Sequence, residues 1–282
     1  MKLIDIKKLF YSELENVFEK NEIDAFIKRT TEEYLNLKPF ELALNTDMFI
    51  EKHKEEMFLK VISELKKEKP IQQILGKTYF YGLEFIINAH VLIPRPETEE
   101  LVHWIINDNK LSTSELKILD IGTGSGCIAV SLAKNLPGSV VFAVDVSQEA
   151  LNVARRNAEK NSIEVGYMQM DILKADKLPS QFDVIVSNPP YVRFLEKDTI
   201  KKNVLEYEPH LALFVDNEDP LLFYDKISKL SMSYLNDKGS LYFEINQYLG
   251  VELIELLEKN GFKKIELKKG LFGNNRFIKC IK

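Results

Sequence analysis

From residue 116 onward, short apolar runs alternate with longer amphipathic segments, and this alternation constrains the fold more than any other feature of the chain. Residues 116–121, 140–144, 165–170, 182–187 and 240–245 read as strands. Residues 127–135, 148–160, 220–235 and 251–260 read as the helices between them. Residues 263–267 and 276–281 can close the sheet as an antiparallel pair around 270–275. The pattern predicts an α/β fold with a doubly wound, mainly parallel sheet and a ligand site beyond the carboxyl ends of its strands.

The first part of the chain has a different period. Leu3, Ile6, Leu9, Phe10, Leu14, Val17 and Phe18 recur at helical spacing, and Met48, Phe58, Val61, Ile62 and Leu65 mark a later helix capped at Thr46 or Asp47. A small helical bundle is expected. Between Pro70 and Pro96 short apolar runs are punctuated by Gly76, Gly82 and Pro94, which predicts a hairpin linker. The expected organisation is a helical domain over 1–70, a linker over 71–95 and an α/β domain over 96–282.

Charge narrows the function. The chain of 282 residues carries 38 Lys and Arg against 43 Asp and Glu, a net charge of -5. A duplex nucleic-acid binder that relies on counterion release is usually basic, and the helical domain is slightly acidic, so no nucleic-acid substrate is expected. The two cysteines, Cys127 and Cys280, sit in apolar stretches and offer neither a disulfide framework nor a zinc cluster. Four scattered histidines make no case for a metal. The N-terminus lacks a leader's apolar core, and no run suits a membrane span, so a soluble, cytoplasmic monomer is expected.

Chemistry is concentrated at the strand ends. Asp120-Ile121-Gly122-Thr123-Gly124-Ser125-Gly126 joins a predicted strand to a predicted helix, and glycines at alternate positions let a backbone turn tightly against a ligand. Cys127 stands where the dinucleotide fingerprint needs glycine. Asp145 ends the next strand, where a carboxylate can accept both hydroxyls of a ribose. Asp171 and Ile172 follow the strand after that and can border an adenine. Together these elements fit a nucleoside-bearing cofactor.

Ser187-Asn188-Pro189-Pro190-Tyr191 is the most specific segment. The prolines lack backbone donors, so the Asn188 side-chain oxygen and the Pro189 carbonyl can each accept one proton of a planar NH₂ group, while Tyr191 offers a stacking face.

With the glycine turn and the ribose acid, this tetrapeptide resembles the class I methyltransferases that use S-adenosyl-L-methionine and methylate nitrogen on amide or amino groups. The linker discriminates within that class. Pro70-Ile71-Gln72-Gln73-Ile74-Leu75-Gly76, Phe80-Tyr81-Gly82-Leu83-Glu84-Phe85 and Val91-Leu92-Ile93-Pro94-Arg95-Pro96-Glu97-Thr98-Glu99 closely resemble the peptide chain release factor N5-glutamine methyltransferases. Tyr207-Glu208-Pro209-His210-Leu211-Ala212-Leu213 is also similar to that family.

The resemblance implies a Rossmann-like methyltransferase sheet, S-adenosyl-L-methionine as cofactor with S-adenosyl-L-homocysteine as product, and a class 1 release factor as protein substrate. The methyl group goes to the glutamine nitrogen of its Gly-Gly-Gln motif. Cofactor binding falls to Gly122, Thr123, Gly124, Ser125, Gly126, Asp145, Asp171, Ile172 and Asn188. Catalysis and substrate binding fall to Asn188, Pro189, Pro190 and Tyr191, with Arg95 as a further substrate contact. Arg95 can alternatively pair with Glu97 or Glu99 at a helix start. A ribosomal-protein glutamine methyltransferase, an adenine-N6 methyltransferase on DNA or RNA, and a silent scaffold that kept the fold remain as alternatives.

Two segments depart from the family pattern. Glu244-Ile245-Asn246-Gln247-Tyr248-Leu249-Gly250 lacks the usual early glycine and Gln-Gly pair, and Val215-Asp216-Asn217-Glu218-Asp219-Pro220 replaces a glycine-rich turn. Lysines crowd the last 24 residues, where Glu266 is the only acid. They can guard a sheet edge or receive an acidic partner.

Overall fold

Helix-spaced apolar residues gather the start of the chain into one compact unit, Met1–Gly76 together with Lys201–Tyr207. The structure, a computed structural model, describes residues 1–112 and 115–282. This unit holds α1 (Leu3–Leu14), α2 (Lys20–Leu35), α3 (Pro39–Leu44), α4 (Lys52–Leu65), α5 (Ile71–Leu75) and, from later in the chain, α9 (Lys202–Tyr207). Leu3, Ile6, Phe10 and Leu14 of α1 face Ile23 and Ile27 of α2 and Phe58, Val61, Ile62 and Leu65 of α4 in one core.

The helix expected to begin at Thr46 or Asp47 begins instead at Lys52. The segment before it turns at Thr46-Asp47, bridges Lys2 through Phe49 and lies against the start of α1. Leu3 and Ile4 donate their N–H groups to the Met48 and Thr46 carbonyls, each at 2.9 Å. Two amides that α1 cannot satisfy internally are thereby paired, which an N-terminal extension of α4 over the same residues could not do.

The second unit, Lys77–Ile200 with Glu208–Lys282, opens with the hairpin β1 (Lys77–Phe80) and β2 (Leu83–Ile86). Its turn places Tyr81 and Gly82 at φ 48° and 75°. The alternating elements follow: α6 (Pro96–Asn109), β3 (Lys117–Ile121), α7 (Cys127–Asn135), β4 (Val140–Asp145), α8 (Gln148–Lys160), β5 (Gly166–Gln169) and β6 (Phe182–Ser187). After a short parallel pair, β7 (Val192–Arg193) with β8 (Phe214–Val215), come α10 (Leu222–Tyr234), β9 (Leu235–Glu244), α11 (Gly250–Lys259), β10 (Lys263–Lys269) and β11 (Asn275–Ile281).

Seven strands form one sheet in the order β10-β11-β9-β6-β3-β4-β5. Only β11 runs against its neighbours. Period-two alternation distributes the core between the faces: Ile118, Val184, Val186, Tyr242 and Phe277 pack on one side, and Leu119, Ile121, Ile185, Phe243 and Ile278 on the other. Full burial of each such side chain contributes about 1.5–3 kcal/mol.

The chain leaves β3 for β4 and β5, then returns on the opposite side as β6, so the sheet reverses its winding between β3 and β6. That switch point is where an open α/β sheet leaves a crevice. Ile121 pairs with Ser187 on one side and Val144 on the other, so the glycine turn, Asn188 and Asp145 leave adjacent strands at one level. The Ser187 hydroxyl donates to the Ile121 carbonyl at 2.7 Å and pins the two strand ends together.

Candidate active site

At the switch point lies a cavity of about 360 Å³, of the size that small-molecule sites take. Gly122, Thr123, Gly124 and Ser125 form one wall, Asp145, Asp171 and Ile172 another, and Asn188, Pro189 and Pro190 a third, with Arg95, Thr98 and Leu211 also on the lining.

The glycine turn uses its own amides internally. Gly122 and Thr123 donate to the Val144 carbonyl at 2.9 and 3.1 Å, and Gly124 donates to Asp145 Oδ2 at 2.8 Å. Gly122 and Gly124 have φ of 74° and 55°, and nothing lies within 4 Å of where a Cβ would project from either. What the turn offers a ligand is therefore open space beside its α-carbons, which a side chain would fill.

Two carboxylates stand behind this wall. Asp145 receives Gly124 N–H on Oδ2 and Ser147 N–H at 2.9 Å on Oδ1, and the carboxylate keeps capacity for a further donor. Burial pushes its carboxyl above the usual range, although the Ser147, Gly124 and Val146 amides pull it back. Asp120 is fully buried, accepts the Thr123 hydroxyl at 2.6 Å on Oδ2, and has no partner for Oδ1 among the described residues. Burial pushes its carboxyl up to about 7, against the Thr123 bond.

Behind Asn188 and Tyr191 lies a third acid, Glu244, 1% exposed. It accepts the Thr98 hydroxyl at 2.7 Å on Oε2 and the Tyr191 hydroxyl at 3.0 Å on Oε1, with Arg276 Nη1 at 3.9 Å. Burial raises its carboxyl above the usual value, and the Thr98 bond and the Arg276 charge oppose that rise. Asn188 Nδ2 lies 3.4 Å from Thr98 Oγ1.

The Arg-Pro-Glu-Thr-Glu run proves to be a set of ties. Arg95 Nη2 meets Glu208 Oε1 at 2.6 Å, and the Ile93 amide donates to Glu208 Oε2 at 3.1 Å. Neither Glu97 nor Glu99 is the partner of Arg95, because the Glu208 carboxylate, with its side chain only 1% exposed, has the greater need of a cation. Glu99 instead accepts the Tyr81 amide at 2.8 Å and fixes the hairpin turn. Both departures from the family pattern grip the segment after Tyr191. Asn246 donates to the Tyr191 carbonyl and to Glu196 at 3.0 and 3.1 Å, and Asn217 accepts the Leu195 amide at 2.9 Å.

The expected residues thus converge on one cavity, with two placed behind it. Gly126 lies where a Cβ would come within 3.0 Å of Ala154 on α8, so its absent side chain serves helix packing. Tyr191 directs its hydroxyl to Glu244 rather than joining the described cavity lining. Asp171 is on the lining, and Lys174 pairs with it at 3.0 Å and holds its carboxyl below the usual range. Sequence reasoning missed Asp120, Thr98, Glu208 and Asn157 as site residues. Asn157 is fully buried on α8 and bonds the Ser125 carbonyl at 2.8 Å and both backbone groups of Ile86. Among the described residues no group of three His, Cys, Asp or Glu could hold a metal ion, and no helix is long and apolar enough to cross a membrane.

The chain is similar to known methyltransferases. The family model described as Methyltransferase small domain matches residues 104–210. A release factor glutamine methyltransferase of Flavobacterium psychrophilum is 54% identical over 96% of this chain and 95% of its own length. One from Bacteroides thetaiotaomicron is 41% identical over 94% of this chain and 95% of its own length. Among solved structures, a methyltransferase from Pyrococcus furiosus shares the fold at a TM-score of 0.51 and 19% identity, over 82% of this chain and 99% of that one.

Proposed function

Because the chain belongs to the family of release factor glutamine methyltransferases, we propose that its cavity takes S-adenosyl-L-methionine and methylates the side-chain amide of the glutamine in the Gly-Gly-Gln motif of class 1 peptide chain release factors. The observation that carries the reading is the placement of Asn188 and Pro189 in the same cavity as the glycine turn and Asp145.

The residues present fit the cofactor. The open α-carbon side of Gly122 and Gly124 admits close approach, with Thr123 and Ser125 completing the turn and Gly126 closing it against α8. Asp145 has lone-pair capacity left for ribose hydroxyls, and Asp171 and Ile172 border the base. When bound, the cofactor supplies a methyl group on a sulfonium, so a carbon–sulfur bond breaks as the nitrogen–carbon bond forms and S-adenosyl-L-homocysteine leaves.

An amide nitrogen is a weak nucleophile because its lone pair is delocalised, and the task of the protein is therefore alignment. The Asn188 Oδ1 atom and the Pro189 carbonyl accept the two N–H groups of the substrate. Both bonds strengthen as the nitrogen gains positive charge, which favours the transition state over the ground state. Pro190 shapes the wall, Tyr191 anchors the loop from behind, and Arg95, whose side chain is 33% exposed, reaches the substrate backbone. The surplus proton of the nitrogen passes to water, and no strong base is needed.

Selection among proteins falls to the helical domain of residues 1–70, since a loop contact alone gives little specificity. The chain acts as a monomer in the cytoplasm, the setting of a release-factor substrate. Labelled S-adenosyl-L-methionine offered with release factor, ribosomal protein and DNA in parallel tests the reading, with peptide mapping of the labelled product. Label on the release-factor glutamine is expected. Label on ribosomal protein or DNA alone would overturn it.

A further inference from the structure

We propose that Thr98 is a positioning residue that sets which end of the Asn188 amide faces the substrate. The inference rests on the reading that Asn188 Oδ1 accepts a substrate N–H. An asparagine side chain presents an acceptor at one end and two donors at the other, and the two ends have nearly the same shape. The clamp works only with the oxygen toward the cavity.

The structure contains a device that selects this orientation. Thr98, 3% exposed in the first turn of α6, gives its single hydroxyl proton to Glu244 Oε2 at 2.7 Å. A carboxylate accepts and cannot donate, so the direction of that bond is fixed. The Thr98 oxygen then shows only lone pairs to Asn188, whose Nδ2 lies 3.4 Å away. Rotating the amide by half a turn would set oxygen against oxygen. Glu244 also receives the Tyr191 hydroxyl at 3.0 Å, so one buried acid orients both ends of the tetrapeptide.

The test uses the full chain with Thr98→Val, Thr98→Ser, Asn188→Ala and the double variant Thr98→Val/Glu244→Gln. Turnover on release factor, cofactor affinity by calorimetry and thermal melting are measured for each. Thr98→Val is expected to lose about 10- to 100-fold in kcat, with KM and cofactor affinity within about twofold of the parent, as for a lost positioning contact. Thr98→Ser is expected to restore kcat. The double variant removes the buried charge together with its donor, so its melting temperature should recover while its kcat stays low. Parental kcat in Thr98→Val, Thr98→Ser as impaired as Thr98→Val, or recovery of kcat along with stability in the double variant would overturn the proposal. Parental turnover in Asn188→Ala would instead overturn the clamp on which it rests.

Discussion

Replacing Asn157 with alanine deletes one side chain that ties the hairpin to the glycine turn. Its Oδ1 accepts the Ile86 amide at 2.6 Å, and its Nδ2 donates to the Ile86 carbonyl at 3.1 Å and the Ser125 carbonyl at 2.8 Å. Alanine keeps the helix but leaves the buried Ser125 carbonyl without a partner, at a cost of about 1–3 kcal/mol. The two bonds to Ile86, which is half-buried, contribute about 0.5–1.5 kcal/mol each. A loss of about 4 kcal/mol is expected. For a folding unit of this size that corresponds to a fall in melting temperature of about 8–16 °C. Because Ser125 lines the cavity, cofactor affinity should fall as well. Urea unfolding and calorimetry measure the two effects. Asn161→Ala is the control, since among the described residues Asn161 Nδ2 bonds the Glu84 and Asn157 carbonyls at 3.0 and 2.8 Å from a half-buried site and leaves no buried carbonyl of the turn unpaired, so it should cost about 2 kcal/mol. An Asn157→Ala loss no greater than that of the control would refute the reasoning.

Other outcomes follow from the acids around the cavity. Asp145→Ala should weaken cofactor binding about 10- to 100-fold by calorimetry; unchanged affinity would move the ribose site elsewhere. Burial raises the Asp120 carboxyl to about 7, so the fold holds its proton more tightly than the unfolded chain does. Its contribution to stability is full below about pH 4 and is lost as the pH rises through about 7. The melting temperature of the parent should therefore drop relative to Asp120→Asn across that window, and parallel curves would sink the assignment. Arg95→Ala strands the buried Glu208 charge and should cost about 3–5 kcal/mol in urea, whereas Glu208→Gln still accepts the Ile93 amide and should cost less. Equal losses would contradict that account.

Much of the fold is legible because its determinants are local. The bounds of α8 follow from an apolar face at helical spacing and from Ser147, whose hydroxyl accepts the Ala150 amide at 3.1 Å. The closing antiparallel pair is readable in the same way. By contrast, β9 begins at Leu235, five residues before the strand expected from the sequence. Leu235-Asn236-Asp237-Lys238-Gly239 has the composition of a turn, and only pairing with β6, across a register shift, makes it a strand. The turn and bridge over residues 46–50 are hidden for a similar reason, since their carbonyls are taken by the amides of α1.

The site divides along the same line. The glycine turn, Asp145 and Asn188-Pro189 announce themselves because each carries its chemistry in adjacent residues. Thr98 bonds Glu244 across 146 positions, Arg95 meets Glu208 across 113 and Asn157 reaches Ile86 across 71. No window of sequence contains both members of such a pair. The Arg-Pro-Glu-Thr-Glu run is therefore visible as a resemblance, while the ties made by Arg95, Thr98 and Glu99 are visible only in the fold.

The amide clamp is tested most directly by Asn188→Ala, assayed for methyl transfer to release factor and, in the same preparation, for cofactor binding by calorimetry. Asn188 is half-buried on the cavity wall and its backbone course is set by Pro189. The account expects cofactor affinity near that of the parent and methyl transfer reduced by about 100-fold or more. Transfer at the parental rate, with the cofactor bound, would contradict it.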